Sequence, residues 1–302
     1  MKVAIVTGGT PNLAGPAGVT YLSLMHMSPK LFSHADKYFF STKSLTECNA
    51  KALEKIGVSA LEFDVGVGLA SGASRYLKYF SEGILAKFET FRLSEHYDYV
   101  LWLDCDQVCV RELFDVVVGD GQSFKITDGG EQSTGWSNYV ESPSFLKAWL
   151  VDNQHVSFDK RGICGNFFCV PAGSHILYCQ ARELFNKMSS ELYGGEQGIL
   201  YILMQDGLSK STLLPHDLFT PHPSEWPIDR LLNTNYSARP YFLHAWSQPK
   251  FWNGLDDSVW NHFYREWVSS GGEEFFSTAS RDVGMRRTIK YFTSRLSKLM
   301  NK

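Results

Sequence analysis

Tyr99-Val100-Leu101-Trp102-Leu103-Asp104-Cys105-Asp106 runs apolar at every position until it meets an acid. Successive side chains of an extended segment point to opposite faces, so a segment apolar on both faces belongs in the middle of a sheet covered on both sides. Its last residues then emerge at the carboxyl edge, where open α/β sheets take their ligands. Asp104 and Asp106, two apart, point the same way and can face one divalent cation. Such a cation suits a diphosphate, whose charge it neutralises as the nucleotide leaves. An Asp-x-Asp triplet alone usually marks a solvated turn, and it is the apolar strand in front that gives this one meaning.

Working outward, Leu85 to His96 has a helical pattern with apolar residues at Leu85, Phe88, Phe91 and Leu93. The opening run Lys2 to Thr7 is β-branched and ends in Gly8-Gly9, as a buried parallel strand feeding a loop would. Residues 18–27 read as a helix, 37–41 as a strand, 45–56 as a helix stopped by Gly57, and 58–65 as a strand. This alternation predicts an α/β fold, a mostly parallel open sheet covered by helices. From 119 to 162 the chain weakens into Gly, Ser, Asp and Asn with scattered aromatics, which predicts loops and short elements. A strand over 165–171 and a helix over 174–190 follow. The sequence contains no internal repeat and no low-complexity segment.

With 302 residues, 44% of them hydrophobic, the chain can bury a substantial core. A formal net charge of -3 gives no whole-protein argument for nucleic acid, and none is expected as a partner. Six cysteines in a chain this long do not make a disulfide scaffold. Cys105, Cys109, Cys164 and Cys169 are spaced poorly for a zinc ribbon and read as buried thiols of a cytoplasmic protein. No signal sequence precedes the first strand, and no apolar run approaches the ~20 residues a membrane span needs. Residues 1–271 read as one domain and 272–302 as a tail of another character. There Arg281, Arg286, Arg287, Lys290, Arg295 and Lys298 are interleaved with Ile289, Phe292, Leu296 and Leu299 at helical spacing. Such a basic amphipathic helix either lies on an anionic membrane through residues 280–302 or docks on the domain with its basic face in water.

The stretch from Tyr99 to Asp106 closely resembles the donor-site strand of the glycogenin-like, family 8 glycosyltransferases. Three further segments resemble that family in the same order. Lys87 stands upstream on a helix, where the family has a basic donor-binding residue. Gly194-Gly195-Glu196-Gln197-Gly198-Ile199-Leu200 is similar to its Gly-Gly-Asp-Gln-Gly-Ile-Leu segment. His244-Ala245-Trp246-Ser247-Gln248-Pro249-Lys250-Phe251-Trp252 is similar to its His-x-x-Gly-x-x-Lys-x-Trp. The resemblance covers roughly residues 1 to 255. It implies a Rossmann-like GT-A fold and transfer, with retention at the anomeric carbon, of a hexose from a UDP-sugar, UDP-glucose or UDP-galactose. The acceptor would be a glycan, a lipid-linked molecule or a protein. Asp104, Asp106 and His244 would hold Mn2+ or Mg2+, and an imidazole beside carboxylates favours manganese. Lys250 would stand against the departing diphosphate, where a cation gains value as charge accumulates. Glu196 and Gln197 would face the donor sugar. Thr7, Asn12, Lys87, Cys105, Asn166 and Ser247 would complete the nucleotide-sugar site.

The chain also departs from the family pattern. Gly8-Gly9-Thr10-Pro11-Asn12 stands where the family has an aromatic residue and an acid beside the uracil. Cys164-Gly165-Asn166 replaces its Asn-Ser-Gly, and Ser247 replaces the glycine that approaches the phosphate. Taken singly, Glu196 also reads as an acid complementing a helix dipole, His244 as a core histidine after the strand 241–243, and Lys87 as a solvated helix lysine. Two rival functions follow. A nucleotide-sugar or glycan-binding protein of the same fold would bind without transferring. A nicotinamide-dependent reductase would explain Thr7-Gly8-Gly9, but it wants glycines at positions 12 and 14, where Asn12 and Ala14 stand, and no Tyr-x-x-x-Lys pair occurs.

Overall fold

The computed structural model describes residues 1–66, 81–119, 123–131, 133–140, 142–188, 191–192, 195–205 and 211–275. The amphipathic stretch 280–302 lies outside the described residues. The strands are β1 (Val3–Gly9), β2 (Ala35–Ser41), β3 (Val58–Glu62), β4 (Tyr99–Leu103), β5 (Gln107–Cys109), β6 (Phe124–Asp128), β7 (Ile163–Pro171), β8 (Ser211–Leu214) and β9 (Phe242–His244). Described helices of eight residues or more are α1 (Ala14–Met27), α2 (Glu47–Lys55), α3 (Ala86–Leu93), α4 (Pro143–Asp152), α5 (Leu177–Met188), α6 (Gly195–Leu203) and α7 (Ser258–Ser269).

Seven strands form one sheet in the order β3-β2-β1-β4-β7-β6-β8, parallel except where β7 runs against β4 and β6. Both central strands, β1 and β4, are buried at every residue. Alternation divides their side chains between two cores. Val3, Ile5, Leu101 and Leu103 face a layer that includes Val19, Leu22, Trp260 and Trp267, from α1 and α7. Ala4, Val6, Val100 and Trp102 face the other, with Phe88 and Phe91 of α3, Phe185 of α5 and Leu200 of α6. The order turns at β1, which has β2 on one side and β4 on the other, and a crevice therefore opens beyond Gly9 and Leu103. Because β7 is reversed, its first residues lie beside the last of β4: Leu103 pairs with Phe167, and the Asp104 N–H donates to the Asn166 carbonyl at 2.9 Å.

Helix α1 starts at residue 14 instead of 18, because Pro16 sits in the first turn, where its missing N–H and fixed φ cost nothing. Gly18 is there for closeness: a Cβ on it would lie 2.2 Å from the Trp267 ring, so α1 and α7 could not approach as they do. The stretch read as loops and short elements contains helix α4 and strand β6, every residue of which is buried. Lys125 disguises that strand in the sequence, since its ammonium caps the carbonyls of Val116 (2.7 Å) and Val117 (3.2 Å) at the end of the short helix Phe114–Val118. Beyond α7, residues 272–275 stay on the domain: Glu273 exchanges hydrogen bonds with Asn49, and the Phe275 ring lies 4.9 Å from that of Tyr264. No described helix is long and apolar enough to cross a membrane.

Candidate active site

Asp104 and Asp106 follow directly on β4, and the chain then folds back as β5. That short strand pairs antiparallel with β9, setting Gln107 opposite His244, while the Ala245 N–H donates to the Asp106 carbonyl at 2.9 Å. This two-stranded sheet closes the gap of 138 residues between Asp106 and His244. Ligand atoms of Asp104, Asp106 and His244 lie within 4.8 Å of one another. His244 Nε2 is 3.1 Å from Asp106 Oδ1, and Lys250 Nζ is 2.5 Å from Asp106 Oδ2 and 2.7 Å from the Ala245 carbonyl. Burial opposes ionisation of Asp106, yet His244 and Lys250 outweigh it and hold the carboxyl well below the usual carboxylate range.

A second cluster adjoins the first on the α3 side. The Lys87 side chain is buried, and its ammonium lies 3.2 Å from Asp104 Oδ1 and 3.2 Å from Glu196 Oε1. Burial disfavours the charge on Lys87, but these two carboxylates reverse that penalty and raise its pKa. Trp102 Nε1 donates to the same Asp104 oxygen at 2.6 Å. Room for the cluster comes from Gly165 of β7, where a Cβ would stand 3.3 Å from the Gln197 side chain and 3.4 Å from Lys87 Nζ. Two carboxylates and an imidazole thus meet at the crevice, flanked by two ammonium groups, which makes the site compatible with a divalent cation and a diphosphate.

No family model and no curated protein sequence matches the chain. Among solved structures, the galactosyltransferase LgtC in complex with donor and acceptor sugar analogues aligns with a TM-score of 0.59 at 14% identity, over 90% of this chain and 97% of LgtC. The apo bifunctional glycosyltransferase WbbM aligns with a TM-score of 0.55 at 15% identity, over 96% of this chain. The fold is that of the GT-A glycosyltransferases. The chain spans about half the length of WbbM, 51% of it.

In this GT-A frame the remaining residues singled out in the sequence divide into groups. Glu196 is buried on Lys87, and Gln197 beside it is half-buried next to Gly165. Thr7 is buried within β1, and Asn12 is exposed in the turn after it, where it accepts a hydrogen bond from Thr10. The Cys105 side chain points inward, its Sγ 3.7 Å from the Gly8 carbonyl, and burial pushes its thiol up. Asn166 is fully buried; its amide donates to Gln107 Oε1 (3.1 Å) and to the Phe219 carbonyl (3.0 Å), which fixes the floor under Asp104. Ser247 Oγ stands 3.4 Å from His222 Nε2, and Trp246 next to it is 57% exposed. Sequence reasoning missed Trp102 as a partner of Asp104, Gln107 as the brace of Asn166, and Thr220, whose Oγ1 is 2.7 Å from His244 Nδ1. A polar residue directly after the Asp-x-Asp triplet was the available signal for Gln107; Thr220, amid Pro, Phe and Leu, carried none.

Proposed function

We propose that this chain is a retaining glycosyltransferase. It takes a hexose from UDP-glucose or UDP-galactose and passes it to a glycan, a lipid-linked molecule or a protein. The observation that carries this reading is the convergence of Asp104, Asp106 and His244 beside Lys250. The donor set fits a manganese-type cation, with magnesium as the substitute, because it joins two hard oxygens to one imidazole nitrogen and keeps every ligand atom within reach of one ion. When bound, the cation supplies charge neutralisation for the departing diphosphate.

The chain's own side chains supply the rest. Lys250, at the rim of the cluster, donates to phosphate oxygens, and its contribution grows as negative charge builds on them. Lys87 holds the carboxylates of Asp104 and Glu196 against their mutual repulsion and so fixes both in direction. Glu196 and Gln197 face the donor sugar, and Asn12 and Ser247 lie along the nucleotide and its phosphates. The enzyme works in the cytoplasm, and residues 280–302 bring it to the inner face of an anionic membrane.

The test is a panel of nucleotide sugars assayed for UDP release with and without manganese, repeated on Asp104→Asn. Manganese-supported release that the substitution lowers at least about a hundredfold is expected, the scale of losing a group that stabilises the transition state. Saturable nucleotide-sugar binding without turnover in the wild type would make the chain a binder and overturn the reading.

A further inference from the structure

His244 is held from behind. Thr220 Oγ1 lies 2.7 Å from His244 Nδ1, both residues are buried, and the neighbouring Pro221 carbonyl accepts the His244 backbone N–H at 3.0 Å. Thr220 ends the short helix His216–Phe219, whose closing hydrogen bond to the His216 carbonyl uses its backbone N–H and leaves the hydroxyl free of that duty. Among the described residues the hydroxyl's other neighbour is Cys164 Sγ, 4.0 Å away, which is a weak partner at most. The opposite ring nitrogen, Nε2, faces Asp106.

We infer that Thr220 is a positioning residue for the metal centre: its hydroxyl fixes the plane and the tautomer of His244 so that Nε2 is presented to the cation. An imidazole that ligates through Nε2 must carry its proton on Nδ1 and give it to an acceptor, and metal-bound histidines are tuned through that second nitrogen. A threonine hydroxyl oxygen can accept this hydrogen bond through a lone pair, which a valine of the same shape cannot. Burial adds to the effect, since without the hydroxyl the Nδ1 group has no water to replace it. The inference rests on the metal reading of the preceding section and adds a residue to it.

The experiment is a Mn2+ titration of the full chain without nucleotide, in which the electron paramagnetic resonance signal of free Mn2+ reports binding. Wild type, Thr220→Val, Thr220→Ser and His244→Ala are compared, with a thermal melt of each. Thr220→Val is expected to weaken Mn2+ binding about ten- to hundredfold, and Thr220→Ser to restore most of it because it keeps the hydroxyl. A merely structural threonine would instead lower the melting temperature and leave the affinity of the folded fraction alone. Wild-type affinity in Thr220→Val, or equal losses in the Val and Ser variants, would overturn the positioning role while leaving the metal site standing. No Mn2+ binding by the wild type would overturn the metal reading and this inference together.

Discussion

Lys87 is the residue at which stability and function are hardest to separate. It is enclosed between two carboxylates, 1% exposed, with an aromatic ring, that of Trp102, 5.8 Å from its ammonium. Removing the charge would leave Asp104 and Glu196 facing one another with no cation between them. Breaking a buried pair from one side costs about 3–5 kcal/mol, far more than the net worth of the intact pair. Lys87→Met is therefore expected to unfold at markedly lower urea, and adding Glu196→Gln should recover part of the loss; chemical denaturation of both variants checks this. Residue pattern alone showed Lys87, Glu196 and Asp104 as three separate features, of which only the last had a physical reason to be functional; it was the family resemblance that put all three in one donor site. Their meeting was illegible because residue spacing along a chain carries no information about which face of α3 looks at the start of α6. By contrast, Asp104 and Asp106 were legible as a pair, though not through a shared strand direction: β4 ends at Leu103, and Cys105 and Asp106 sit in a turn, so closeness along the chain and not the pleat brings them together.

At the scale of elements, β4 and β1 could be read directly because burial on both faces leaves an unbroken apolar run, whereas β6 hid behind Lys125 and β5 is only three residues long. The pairing of β5 with β9 decides the site, and no local pattern encodes it. Helix α7 shows how such elements are held. Its N-cap, Asp257, accepts the Trp260 N–H at 2.8 Å but is itself buried, and burial, with Asp256 nearby, pushes its carboxyl up to about 6. The folded state thus binds this proton more tightly than the unfolded chain, where a carboxyl titrates near about 4. That contribution to stability is complete at low pH and is lost as pH rises from about 4 through about 6. Asp257→Asn keeps a capping oxygen and has nothing to ionise. Thermal melts from pH 4 to pH 8 should therefore show the variant gaining on the wild type across that window and holding its advantage above it. Towards the other end of α7, Gly18→Ala is expected to cost about 1–3 kcal/mol, the usual scale of overpacking, because the added methyl would stand 2.2 Å from the fully buried Trp267 ring. An unchanged melting temperature would show that α1 and α7 can separate freely.

Across the whole molecule, the open question is where the globular unit stops and what the remaining chain does. Residues 272–275 belong to the packed unit by their contacts: Trp267 Nε1 donates to the Glu273 carbonyl at 3.1 Å, Asn49 bonds Glu273 twice, and Phe275 packs on Tyr264, Trp260 and the Gly15 backbone. Gly15 is the second residue of α1, the helix that follows the turn leaving β1 at the ligand edge of the sheet. A chain ending at residue 271 would lose a half-buried aromatic and several hydrogen bonds. Losing a half-buried phenylalanine costs less than the about 3–5 kcal/mol of a fully buried one, but together with the hydrogen bonds it should still make such a chain melt below the full one. A chain ending at residue 275 keeps every one of these contacts. The second truncation is therefore the proper instrument for the membrane proposal, because its loss of binding cannot be blamed on the removal of these contacts. Six basic residues from Arg281 to Lys298, each worth about 1 kcal/mol near an anionic surface, make vesicle binding of the full chain strong at low salt and weak once the Debye length falls to about 3 Å at 1 M. Co-sedimentation with phosphatidylserine vesicles should accordingly capture the full chain and release the 275-residue chain, with neither bound to neutral phosphatidylcholine. Equal capture of both chains would place the lipid contact on the domain and return the tail to the role of a docked helix with a solvated basic face.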